Sequence, residues 1–146
     1  MRSTSSILAG AMAASLAAGP SFLLCFFIGL AIGAPGEFGT IGIGDIGFVS
    51  ILLLVSAPIG LFFAGLPTFL GAAVMSWLGW HAPESRSPFV WCAAGAAFAG
   101  ILSVPFFAFS PADTDKGVFL LIMAFAITGA ICAVICRRMT RWPDDI

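Results

Sequence analysis

The sequence predicts an all-α polytopic membrane protein: a four-transmembrane-helix bundle, a single domain over residues 1–146, with a long proline-kinked second helix. Three observations carry that expectation. Of the 146 residues, 60% are hydrophobic and 9% charged, with a mean hydropathy of +1.11, far from the composition of soluble domains. Ile46 to Trp80 is a run of 35 residues without one Asp, Glu, Lys, Arg or His. As a helix it would reach about 52 Å, whereas the hydrocarbon core of a bilayer is about 30 Å thick. The third observation is the placement of the basic residues, five of which collect on one side once four spans are drawn.

The first span is expected over about residues 10–33, inside the charge-free run Ser3 to Gly36. Gly19-Pro20 divides that run into an Ala-rich and a Phe-rich half, and one kinked helix is the simplest reading. Ile7 to Gly19 also has the look of a short signal-peptide core, but a lone Arg2 makes a poor basic leader. Between Pro35 and Asp45 the chain turns glycine-rich. Gly42, Gly44 and Gly47 match G-x-G-x-x-G there, but a dinucleotide loop needs a preceding strand and an acidic residue about 20 positions later. A surface loop is expected instead.

The second span is placed at about 46–66, with an extension to 80. Pro67 to Trp80 is too short to cross comfortably, about 21 Å as a helix. The carbonyl freed by Pro58 needs a partner in lipid, and the Ser56 hydroxyl is a candidate. The polar segment HAPESRSP follows. Its end, Ser87-Pro88, reads as an N-cap and a first-turn proline, which starts the third span at 88–109. The acidic loop SPADTDK separates this from the fourth span, 117–137, which ends in Arg137, Arg138 and Arg141.

Four spans put Arg2, Arg86, Arg137, Arg138 and Arg141 on one side and leave Lys116 on the other. The positive-inside rule makes the first side cytoplasmic, with both termini there, in a cytoplasmic membrane. Trp77, Trp80, Trp91 and Trp142 are expected near that same interface, where indole rings prefer to sit. The outer loops carry Glu37, Asp45, Asp113 and Asp115, which read as solvated acids left by the exclusion of Lys and Arg. A cation-attracting mouth, or a carboxylate pair for acid-base work, is their functional alternative.

Candidate packing residues follow from spacing. Small residues recur four apart at Gly29/Gly33, Gly60/Ala64, Gly95/Ala99, Ala96/Gly100 and Gly129/Ala133, and such pairs let helix backbones approach closely in lipid. Cys92, Cys132 and Cys136 lie near the same interface, so a three-thiol cluster suited to Cu(I) or Zn is conceivable. Packing is the plainer role, since cysteine behaves as a small hydrophobe.

Chemistry is otherwise scarce, because the chain has no Asn, Gln or Tyr and a single His, His81. No ionisable residue falls inside a span, no catalytic constellation or cofactor motif assembles, and a net charge of -1 offers nothing to nucleic acid. The expected role is that of a small non-catalytic accessory or assembly subunit, or a homo-oligomer, whose partners are membrane lipid and other membrane chains. A channel or small transporter is the alternative. The topology is open to direct test: in a cysteine-free background, Arg86→Cys should react with an impermeant thiol reagent only after the membrane is breached. Labelling from outside intact cells would refute the four-span arrangement.

Overall fold

A computed structural model describes residues 2–33, 43–108 and 115–140. They form four α-helices and one short 3-10 turn, with no strand among the described residues: α1 is Arg2–Gly33, α2 Ile43–His81, α3 Pro88–Ala108 and α4 Asp115–Met139, and Pro83–Arg86 links α2 to α3. Within them Ile7–Ile32, Gly47–His81, Pro88–Pro105 and Gly117–Met139 are long and apolar enough to cross a membrane. This is the architecture of a multi-pass membrane protein. α1 begins well before residue 10. α2 runs as one helix through both Pro58 and Pro67, so the stretch to residue 80 is neither a separate span nor a detached piece.

The helices pack in the order α2, α1, α4, α3. α1 and α4 form the centre, and α2 and α3, though joined by a short turn, meet only marginally. Each hairpin is closed by a crossing at which no side chain larger than hydrogen fits. In α1 and α2 the crossing brings Gly19 against the Ser56 carbonyl and Gly60 against Gly19 and Ser15: a methyl at Gly19 would overlap the Ser56 oxygen, and one at Gly60 would stand 2.5 Å from the Gly19 nitrogen. In α3 and α4 the relation is reciprocal. A methyl at Gly95 would overlap the Gly129 carbonyl and lie 2.5 Å from the Ala133 Cβ, while one at Gly129 would overlap the Gly95 carbonyl and lie 2.5 Å from the Ala99 Cβ. Close approach of this kind gives dispersion contact where lipid supplies no hydrophobic drive between helices.

The two hairpins join through α1 and α4. At one end Gly10 lies against Met139 and Cys136, in the middle the Phe22 and Phe125 rings stand 4.7 Å apart, and at the other end Gly29 faces the Leu120 side chain. The start of α1, the end of α4 and the turn between α2 and α3 therefore share one end of the bundle. Prolines leave carbonyls unbonded four residues back, and at Pro58 that carbonyl is Leu54. The Ser56 hydroxyl does not reach it; it donates to Leu53 O at 2.8 Å, because a serine in a helix bonds most readily to its own preceding turn.

Gly95→Leu and Gly129→Leu should lower the thermal midpoint in detergent by the equivalent of about 1–3 kcal/mol or more, the usual cost of overpacking, and by more than Leu120→Ala does. Gly100→Leu is the control, since nothing lies within 4 Å of a Cβ built there. Equal midpoints for Gly95→Leu and Gly100→Leu would remove the crossing from the account of stability.

Candidate functional site

Of the described side chains, His81, Glu84, Arg86, Arg137 and Arg138 lie at the end where α1 starts, α4 stops and α2 turns into α3. The turn is built by local hydrogen bonds. Ala82 N–H donates to Leu78 O at 2.8 Å, Ser85 N–H to Ala82 O at 3.0 Å, and the Ser85 hydroxyl to the same carbonyl at 2.7 Å. Ser87 has the extended ψ of 133° that ends the turn, and Trp91 N–H then donates to Ser87 O at 3.2 Å as α3 begins with Pro88. Proline suits that first position because its missing N–H would have had no helical partner.

Two arginines tie this turn to the bundle. Arg86 Nε donates to Gly79 O at 2.9 Å, capping the end of α2, and Arg137 Nε from the last turn of α4 donates to the Arg86 carbonyl. Both cations sit at helix C-termini, where the helix dipole favours positive charge. Thr140 closes α4 by returning its hydroxyl to Cys136 O at 2.8 Å. His81 places Nδ1 3.0 Å from Trp77 O, and its ring lies tilted by 41° against Trp77 with centroids 4.5 Å apart. It turns to its own helix rather than to Glu84.

Beside the turn, the start of α1 and the last turns of α2 bound an open groove of about 360 Å³, lined by Ile7, Ala73, Ser76, Trp77, Trp80 and His81. Trp77 and Trp80 are 63% and 59% exposed, as interfacial indoles should be. Trp91 is not. It is 1% exposed and packs with Ala14, Ala18, Ala72, Cys132 and Cys136, because the first turn of α3 faces the bundle instead of the lipid. Among the described residues its indole N–H and the Ser76 hydroxyl are buried without a hydrogen-bond partner.

The cysteines do not converge as a three-thiol cluster. Cys132 and Cys136 point at α1, with their sulfurs 3.3 Å from Ala14 O and 3.6 Å from Gly10 O, while Cys92 belongs to α3 on the other flank of α4. The physical reason is that α4 has two neighbours: Gly129 and Ala133 face α3, and the two thiols, one step round the helix, face α1. Among the described residues no three His, Cys, Asp or Glu groups stand close enough to share a metal ion.

Of the small-residue pairs, Gly95/Ala99 and Gly129/Ala133 are brought together, and Ala64 packs against the core beside Gly60's crossing. Gly29 meets Leu120 rather than another small residue, and the surroundings of Gly33 lie outside the described residues. Glu37 and Asp113 also lie outside them, as do Gly42 and Trp142 and the side chains of Asp45 and Asp115. Gly44 and Gly47 are helical, within the first turns of α2, so they do not form a phosphate loop after a strand. Spacing missed Ser15 and Gly19, since Gly19-Pro20 reads as an interruption rather than a contact.

The Arg137 tether has a measurable consequence. Arg137→Ala should speed tryptic cleavage after Arg86 in detergent micelles and lower stability by roughly 1.5–3 kcal/mol, the range for a hydrogen bond to a charged group. Arg137→Lys should restore the charge without the planar Nε donor and rescue little. Unchanged cleavage in Arg137→Ala would show that the turn holds itself. No protein-family model, curated protein or solved structure matches the chain, so the residues above are the whole basis for a functional reading.

Proposed function

We propose that this is a small non-catalytic integral membrane protein that works by association, as an accessory or assembly subunit of a larger membrane complex or as a homo-oligomer. The observation that carries this reading is what the chain leaves unused. Its glycine crossings at Gly19/Gly60 and Gly95/Gly129 are internal, yet Gly65 and Gly71 of α2 and Gly100 of α3 have nothing within 4 Å of the place a Cβ would occupy. These belong to the two outer helices of the row. Small residues there leave backbone open to a further helix, the contact by which membrane helices associate.

The polar inventory supports a non-catalytic role. Ser15, Ser103 and Thr128 are buried, and their hydroxyls return to carbonyls of their own helices at 2.6–2.7 Å, as Ser56 does. A conduction path would need such groups turned toward it, so the alternative of a channel or small transporter has less support. The orientation we favour places the shared end of α1, α4 and the α2–α3 turn in the cytoplasm, because Arg86, Arg137 and Arg138 gather there. A cytoplasmic membrane is the corresponding location.

Mass measurement of the full chain in mild detergent, beside co-purification from native membranes, tests the reading. Gly65→Leu and Gly71→Leu should reduce the assembly mass or release the partner while leaving the thermal midpoint near that of the unaltered protein, and reconstituted liposomes should show no cation flux above empty vesicles. A monomeric mass with no co-purifying chain would end the proposal, and flux would favour the alternative.

A further inference from the structure

We draw no further inference here: the strongest candidate, the open groove between the start of α1 and the last turns of α2, is an apolar face walled by Ile7, Ala73, Trp77 and Trp80, and nothing in the structure shows what covers it.

Discussion

Everything in this fold depends on how closely two helix backbones can approach in a solvent that does not push them together. In hydrocarbon, leaving a side chain facing lipid costs almost nothing, so apolar burial of the kind that folds soluble domains has no counterpart between spans. What remains is dispersion, which falls away steeply with a gap of even 1 Å. The two hairpins answer this in the same way, with Gly19 and Gly60 at one crossing and Gly95 and Gly129 at the other. Between the hairpins the contact is less tight. Gly10 and Ala14 receive the thiols of Cys136 and Cys132, and cysteine serves there as a small hydrophobe with a weak donor that suits a helix carbonyl.

The same constraint explains why so little chemistry is found inside. A hydroxyl in a span must be satisfied, and the cheapest acceptor is the carbonyl one turn back on its own helix, which is where Ser15, Ser56, Ser103 and Thr128 send theirs. Once bonded in this way such a group is unavailable to a substrate path. Among the described residues, the buried side-chain polar atoms without a partner, Ser76 Oγ and Trp91 Nε1, belong to residues toward the arginine-bearing end. Polar side chains are thereby left to the boundary of the membrane, and the association we propose falls to the outer faces of α2 and α3, where Gly65, Gly71 and Gly100 are open.

The existence and order of the four helices were legible in the sequence because charge marks the breaks between them, at HAPESRSP and at Arg137-Arg138, whereas proline does not: Pro20, Pro58, Pro67 and Pro105 all lie inside helices. The reciprocal glycine contact of α3 and α4 was legible as spacing. Which helices face one another was not, since a motif on one helix does not name its partner. Gly29/Gly33 has the right spacing, yet Gly29 meets Leu120; Ser15 and Gly19 make a tight crossing, yet the adjacent Pro20 disguises it. Trp91 shows the same limit. The interfacial preference of tryptophan holds for positions that face lipid, and sequence does not say which way the first turn of a helix looks. The thiols were grouped by depth, which was sound, but the rotation that gives Cys132 and Cys136 to α1 depends on α4 having two neighbours.

The length of α2 connects the fold to the groove. Its apolar span of 35 residues is about 52 Å long and must be reconciled with about 30 Å of hydrocarbon. Tilt alone does not suffice: at 40°, the upper end of the usual range, the span still projects about 40 Å along the membrane normal. About 10 Å of helix is left over, close to two turns. The chain places rings that tolerate headgroups, Trp77, Trp80 and His81, in the last two turns of α2, and it caps the helix at Gly79 with Arg86. Surplus length therefore becomes a short aromatic and basic platform at the interface. The start of α1 lies along one side of that platform, and the groove they bound is the place where its uncovered side meets lipid.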